Sequence, residues 1–114
     1  QKTYTGDLTY YNLGLGACGE TSSNADMAVA VAHSLFDAAA LEGSTNPNEN
    51  PLCGRTIRVS RDYAEIGAGV ISVLVKVVDR CVGCEPTDLD LSPAVYDLFA
   101  PEEKGRVPGQ WEWA

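Results

Sequence analysis

Residues 77–93 read VVDRCVGCEPTDLDLSP and combine a strand end, a Cys-x-x-Cys turn, a second short strand pattern and a helix start. The first strand, Val70–Asp79, is predicted from its run of β-branched residues. Leu89–Leu91 predicts a short strand whose two leucines share one face. Ser92 is a favourable helix N-cap, and Pro93 suits the first helical position. The stretch therefore places carboxylates on two strands beside a tight cysteine turn.

The rest of the chain shows the same mixture of short strands and short helices. Strand patterns are present at Thr5–Asn12, Met27–Ala32, Thr56–Ser60 and Gln110–Trp113, and helix patterns at Ser34–Leu41 and Pro93–Ala100. Several short strands with two helices between them predict a mainly β fold, a small barrel that carries helical excursions. The sequence has no internal repeat or linker, and we expect one domain over residues 1–114.

Charge and hydropathy exclude several classes of partner. Among 114 residues, 8 are Lys or Arg and 16 are Asp or Glu, which gives a net charge of −8. Such a balance argues against nucleic acid, anionic membranes and polyanionic polysaccharides, but it leaves a neutral glycan possible.

No stretch approaches the roughly 20 apolar residues of a membrane span. No signal peptide pattern is present, and we expect Gln1 to be the first residue of a processed, monomeric chain.

The four cysteines are Cys18, Cys53, Cys81 and Cys84. An even number in a small chain favours two disulfides and an oxidising, extracellular compartment. Zinc is the alternative, because Cys81 and Cys84 have metal-ligand spacing, but a zinc ribbon requires a second close pair. Disulfides are therefore favoured, and we expect no metal and no cofactor. Four cysteines can form two disulfides in three ways, and their number and spacing alone leave all three pairings open.

Three aspartates are candidates for chemistry: Asp79, Asp88 and Asp90. Two carboxylates near one cleft are typical of general acid and base catalysis on a glycosidic bond. The structural alternative is that Asp88 caps a turn, while Asp79 or Asp90 orients a loop by accepting backbone N–H bonds. The residues alone favour this structural interpretation.

Five short motifs occur in an order that resembles a known superfamily. They are Gly6-x-x-Thr9-Tyr10-Tyr11, Gly16-Ala17-Cys18-Gly19, Asn50-Pro51-Leu52-Cys53-Gly54, Asp79-Arg80-Cys81-x-Gly83-Cys84 and Asp88-Leu89-Asp90-Leu91-Ser92-Pro93. Together they resemble the double-psi β-barrel of expansins, barwin-like proteins, bacterial rare-lipoprotein-A domains and family-45 endoglucanases. The fourth motif and the closing Trp111-Glu112-Trp113 are most similar to fungal loosenins, which are expansin-like. The resemblance implies a six-stranded barrel with two or three short helices. In a departure from full expansins, we expect no appended carbohydrate-binding module.

The resemblance also implies roles for individual residues. Asp90 stands where the hydrolases of the superfamily keep their general acid, and Asp79 matches an aspartate of the polar groove of expansins. Thr9 and Tyr11 match residues that line the same groove. Two further aromatic residues could stack on sugar rings, namely Tyr10 and Trp111, although a place in the core is an equal alternative for Trp111. For the cysteines, the resemblance implies a Cys18–Cys53 bridge, which leaves Cys81–Cys84 as a local loop.

One departure from the hydrolases bears on function. Inverting endoglucanases carry a catalytic base just after the Thr-x-Tyr segment, whereas this chain has Tyr11-Asn12-Leu13 there. An inverting mechanism requires a base about 6.5–9.5 Å from the acid. The resemblance therefore implies a secreted protein that binds and loosens cellulose, chitin or a related glucan without hydrolysis. The alternatives are a weak endoglucanase or transglycosylase, and an inhibitor of papain-type cysteine proteases or an effector.

Overall fold

The computed structural model describes residues 2–114, so Gln1 lies outside the described residues. The strands are β1 (Tyr4–Tyr10), β2 (Ala28–Ala32), β3 (Thr56–Asp62), β4 (Val70–Cys81), β5 (Leu89–Leu91) and β6 (Val107–Trp113), and the α-helices are α1 (His33–Ala38) and α2 (Pro93–Phe99). The strands close into a barrel in the order β1-β5-β2-β4-β3-β6. This confirms the prediction of a mainly β, six-stranded barrel with two helices. Neither helix of residues 2–114 has the length and apolar character that crossing a bilayer requires.

Two of the strand pairs are parallel. β1 pairs with β5, and β2 pairs with β4, in parallel; the remaining neighbours are antiparallel. Parallel neighbours cannot be joined by a tight hairpin, so each pair requires a long crossover connection. α1 lies in the connection from β2 to β4, whereas α2 lies in the connection from β5 to β6, two strands that are not neighbours in the barrel.

The barrel interior is filled by aliphatic and aromatic side chains from every strand. Inward positions alternate with outward ones along β1, β3, β4 and β6, as the period of a strand requires. β2 is buried along its whole length and reads Ala-Val-Ala-Val-Ala. Its valines point into the core, whereas its alanines lie on the other face of the strand.

A β-bulge interrupts the pairing of β2 with β4. Val29 lies opposite Val77, but the next residue, Ala30, lies opposite Asp79, so Val78 is an extra residue in β4. The Cys18 amide donates to the Val78 carbonyl oxygen at 3.3 Å. A Cβ atom at Gly16 would overlap that same oxygen, so the glycine is required for the loop after β1 to approach β4.

The predicted start of α2 is confirmed, whereas the predicted bounds of α1 are wrong. Ser92 caps α2, since its Oγ accepts a hydrogen bond from the Val95 amide at 3.4 Å, with Pro93 at the start of the helix. α1 begins one residue earlier than predicted and ends at Ala38 rather than Leu41. The Asn50 side chain donates to the Phe36 carbonyl oxygen at 2.7 Å, which helps to satisfy the end of α1.

The last strand is longer than predicted, because it begins at Val107 rather than at Gln110. Pro108 and Gly109 are typical of turns and are unfavourable inside a strand. In the barrel, Gly109 lies against the Leu8 side chain, where a Cβ atom would collide with it. Close packing of β6 on β1 therefore explains a glycine inside a strand.

The cysteines form two disulfides, Cys18–Cys53 and Cys81–Cys84. This confirms the pairing that the family resemblance implied. All four sulfurs are consumed, so the zinc alternative is wrong for these residues. Within residues 2–114, no cluster of histidine, cysteine and carboxylate side chains could hold a metal ion.

The two disulfides should differ in their effect on stability. Cys18 and Cys53 are separated by 35 residues, and Cys81 and Cys84 by 3. Because a bridge lowers the entropy of the unfolded chain more when its loop is longer, replacing the first pair with alanine should lower the free energy of unfolding by about 4 kcal/mol. Replacing the second pair should lower it by about 2 kcal/mol.

Denaturant unfolding of the two double-alanine variants measures this difference. The Cys81/Cys84 variant is the matched control for the loss of two sulfurs. Equal losses in the two variants would contradict the loop-length argument.

A polar cleft across four strands

A row of four residues crosses the outer face of the barrel from β1 to β4. Thr9 pairs with Asp90, Asp90 pairs with Ala30, and Ala30 pairs with Asp79. Each lies beside inward-pointing residues of its own strand, so the four side chains share the outward face. Ala30 has only a methyl group, which leaves a depression between the carboxylates of Asp79 and Asp90.

This depression is part of a cleft of about 530 Å³. The row forms its floor, the turn closed by the Cys81–Cys84 disulfide forms one wall, and the segment before β6 approaches from another side. The lining residues are Thr9, Tyr10, Tyr11, Ala30, Asp79, Arg80, Cys81, Val82, Gly83, Cys84, Asp90, Gly105 and Arg106. The cleft thus brings together Asp79, Asp90, Thr9, Tyr11 and Tyr10, all of which were candidates from the sequence.

Asp90 is held in a partly buried position. Its Oδ1 accepts a hydrogen bond from the Thr9 hydroxyl at 2.8 Å. Burial raises the pKa of the Asp90 carboxyl above its usual value, and the charge of Asp79 adds a smaller contribution in the same direction. The Thr9 hydrogen bond and the charge of Arg106 lower the pKa and oppose this effect. Burial is therefore a larger cause of the raised pKa of Asp90 than repulsion from Asp79.

Arg106 supplies positive charge at the edge of the cleft. Its guanidinium donates to Asp7 at 2.9 Å and lies 3.7 Å from an oxygen of Asp88. Its pKa is raised, chiefly by the hydrogen bond to Asp7. The sequence did not indicate this residue, because it precedes β6 in a polar segment and its partners lie at distant positions in the chain.

Asp79 combines a structural role with its place in the cleft. Its Oδ1 accepts hydrogen bonds from the amides of Ala17 and Arg80, each at 2.8 Å. The first of these bonds fixes the loop after β1 against the end of β4. The loop-orienting alternative proposed for Asp79 is therefore correct, and one carboxylate oxygen is occupied by backbone donors.

Tyr11 faces the two carboxylates. Burial raises the pKa of its phenol well above the usual range, and the negative charges of Asp79 and Asp90 raise it further. The hydroxyl therefore keeps its proton and is a hydrogen-bond donor throughout the pH range in which proteins are studied. Tyr10 also lines the cleft, but its hydroxyl donates to the Glu102 carbonyl oxygen at 2.9 Å.

Trp111 does not reach the cleft, which corrects the prediction that it binds substrate. Its side chain is only 2% exposed. Its ring stacks on Tyr4, with 4.5 Å between the centroids, and its Nε1 donates to the Thr87 carbonyl oxygen at 2.9 Å. Alternation along β6 explains the error, because Trp111 shares the inward face of Val107 and Gly109.

Asp88 is a structural residue, as the turn-capping alternative proposed. It is 8% exposed. One carboxylate oxygen accepts from the Asp7 amide at 2.9 Å, and the other accepts from the Glu85 amide at 3.1 Å. These bonds tie the turn before β5 to β1, and so they help to hold Asp90 in register with Thr9.

Comparison with known proteins gives relatives in both sequence and structure, although no protein-family model matches the chain. A papain inhibitor from Streptomyces mobaraensis is 37% identical over 109 residues, which cover 92% of this chain and 66% of that protein. The solved structure of a Streptomyces papain inhibitor superposes with a TM-score of 0.80 and 32% identity, over 99% of this chain and 94% of that one. The chain spans less than two thirds of the curated relatives it matches.

A second solved relative is a mutant of the expansin of Clavibacter michiganensis, crystallised in complex with cellohexaose. The TM-score is 0.75 at 26% identity, and the match covers 99% of this chain and 50% of that one. The two solved relatives thus differ, since one is a protease inhibitor and the other is a protein in complex with a glucan oligomer.

The Thr9 hydrogen bond provides a test of the electrostatics of the cleft. Thr9→Val keeps the shape of the side chain but removes the hydroxyl that stabilises the charged form of Asp90. The pKa of Asp90 should therefore rise further, as followed by NMR titration of the carboxyl carbon. Thr5→Val is the matched control, because Thr5 is an exposed residue of the same strand outside the cleft. An unchanged or lower pKa of Asp90 in Thr9→Val would show that the Thr9 hydroxyl does not stabilise the charged form of Asp90.

Proposed function

The chain belongs to the expansin-like superfamily of double-psi β-barrel proteins, and from this premise we propose that it binds and loosens cell-wall polysaccharide without cutting it. The ligand would be cellulose, chitin or a related neutral glucan. The observation that carries the proposal is the row of Thr9, Asp90, Ala30 and Asp79 along the floor of an open cleft. In its support, the related expansin is described in complex with cellohexaose.

The cleft offers the groups that a neutral sugar chain requires. Tyr11 is a donor, the free oxygen of Asp79 is an acceptor, and Asp90 changes from donor to acceptor as it loses its proton. Hydroxyl groups of a glucan bind to neighbouring chains through hydrogen bonds of the same kind. A chain lying in the cleft would exchange those bonds for bonds to the protein, and this exchange is the proposed mechanism of loosening.

Loosening without hydrolysis is favoured by the chemistry of the two carboxylates. Asp90, with its raised pKa, has the character of a general acid. Hydrolysis with inversion would also require a base that activates water. One oxygen of Asp79 is occupied by two backbone amides, and Asn12 occupies the position where the endoglucanases keep their base. We propose further that the protein is secreted, acts as a monomer and uses no cofactor.

The effect of Asp90→Asn tests this function. The amide keeps the shape of the carboxyl, but it cannot change between donor and acceptor, so loosening of cellulose fibres should fall by about tenfold or more. The free energy of unfolding should change by less than about 1 kcal/mol, because a partly exposed carboxyl contributes little to stability. Loosening by the parent protein should also decline as pH rises through the raised pKa of Asp90, whereas the variant should show no such dependence.

Fibre extension under load, together with an assay for new reducing ends, measures both parts of the proposal. Asp62→Asn is the matched control, since Asp62 is an exposed aspartate outside the cleft. The mechanism is wrong if Asp90→Asn loosens fibres as well as the parent. It is equally wrong if the parent releases soluble sugars at a steady rate.

A second candidate function is inhibition of a papain-type cysteine protease. It is favoured by the 37% identity to the Streptomyces mobaraensis papain inhibitor, over 92% of this chain. An inhibitor must present a rigid surface, and the loop after β1 is fixed by the Cys18–Cys53 disulfide and by the bond from the Ala17 amide to Asp79. That loop exposes Leu15, whose side chain is 75% accessible and could enter an apolar pocket of an enzyme.

Titration of papain with the protein separates the two functions. If inhibition occurs through the loop after β1, Leu15→Ser should weaken it by about tenfold, because an apolar anchor in an interface contributes strongly to affinity. Asp90→Asn should leave inhibition unchanged. No inhibition at micromolar protein would exclude this candidate, and equal inhibition by the parent and Leu15→Ser would exclude the loop as the contact.

A further inference from the structure

A second cavity lies beside the cleft, between α1 and the segment that follows it. We call it the helix cavity, and its volume is about 260 Å³. Its lining residues are Phe36, Asp37, Ala40, Leu41, Ser44, Thr45, Asn46, Pro47, Asn50 and Arg80. Of these lining residues, only Asn50 and Arg80 belong to the five sequence motifs that resemble the superfamily.

The side chain of Arg80 lines both the cleft and the helix cavity. It follows Asp79 at the end of β4 and lines the cleft, and it also lines the helix cavity. Its guanidinium pairs with Asp37 at 3.4 Å and lies 5.8 Å from the centre of the Phe36 ring. The cleft and the helix cavity are therefore neighbours that meet at this one side chain.

The helix cavity is built on fixed backbone. The Asn50 side chain donates to the Phe36 carbonyl oxygen at 2.7 Å and accepts from the Leu52 amide at 2.9 Å, so it ties the far wall to α1. Ser44 donates to Glu49 at 2.9 Å, and the Asn46 side chain accepts from the Asn48 amide at 3.0 Å. A cavity whose walls are held in this way can bind a ligand without a large loss of loop entropy.

The lining suits a neutral sugar ring. Its described charged groups, Asp37 and Arg80, pair with each other, so they cancel locally on a chain whose net charge is −8. Leu41, with 55% of its surface exposed, offers an apolar contact for the face of a ring. The Thr45 hydroxyl has no hydrogen-bond partner within residues 2–114 and can bind a ligand hydroxyl. A few polar groups on an apolar wall are typical of small-ligand sites.

We propose that the helix cavity is a subsite for the same polysaccharide chain, which passes from the cleft over Arg80 and places a further sugar ring against Leu41 and Thr45. This inference rests on the proposed polysaccharide function and extends its binding path. It also gives Arg80 a role, because its guanidinium donors lie between two consecutive parts of the bound chain.

Affinity as a function of oligomer length tests the subsite. Cellobiose, cellotetraose and cellohexaose, with the matching chitin oligomers, are titrated by calorimetry into the parent and into Ala40→Leu, which fills the helix cavity. The parent should bind the longest oligomer about tenfold more tightly than the shorter ones, the factor expected from one or two added hydrogen bonds. Ala40→Leu should bind short oligomers like the parent and lose this gain.

Two further variants sharpen the experiment. Ala64→Leu is the matched control, because Ala64 is exposed and lines neither cavity. Thr45→Val removes the hydroxyl at constant volume and should weaken cellohexaose binding by about threefold. NMR shifts of the Thr45 and Asn46 amides should respond to cellohexaose and not to cellobiose.

The outcomes distinguish the subsite from the function it extends. If short oligomers bind but length adds no affinity, or if Ala40→Leu keeps the gain, the subsite is wrong while the function stands. If no oligomer of either series binds, the proposed function is wrong and the subsite with it. If Ala40→Leu weakens papain inhibition and leaves cellohexaose affinity unchanged, the cavity serves a protein partner and the inference is overturned.

Discussion

Val78 is the extra residue in the pairing of β2 with β4, and the cleft depends on the change of face that it causes. Val75 and Val77 point into the core, so regular alternation would turn Asp79 inward as well. The bulge turns Asp79 outward, opposite Ala30, where it completes the row that begins at Thr9. It also exposes the carbonyl oxygen of Val78, onto which the loop after β1 docks through the Cys18 amide. One inserted residue thus sets both the floor of the cleft and the position of a neighbouring loop.

The charge of the cleft differs from that of the chain as a whole. The chain carries −8, whereas the lining of the cleft contains two carboxylates and two guanidiniums. Arg80 and Arg106 are each paired with an aspartate at the surface, and such pairs contribute little to stability. Their consequence is electrostatic, since Arg106 limits how far burial raises the pKa of Asp90. The cleft therefore contains charged groups of both signs, a composition that could not be deduced from net charge.

The sequence predicted features that depend on near neighbours. The strand at Leu89–Leu91 and the cap at Ser92 follow from local alternation and local hydrogen bonding, and the structure has both. It could not predict the bulge at Val78, because register is decided between strands far apart in the chain. For the same reason it missed Arg106 and misplaced Trp111, whose side of β6 depends on the pairing with β1. The disulfide pairing came from family resemblance, since spacing left three possibilities.

The hydrogen bond between Thr9 and Asp90 joins residues 81 positions apart. Of the pairings between the six named strands, the β3–β4 hairpin closes the shortest loop and should form first, whereas β1 must wait for β5. A nascent chain emerging from the ribosome therefore has a hairpin and part of a core long before it has a cleft. The cleft is complete only with the final segment, because Gly105 and Arg106 line it, so a prematurely released fragment lacks the cleft even when its early strands are already ordered.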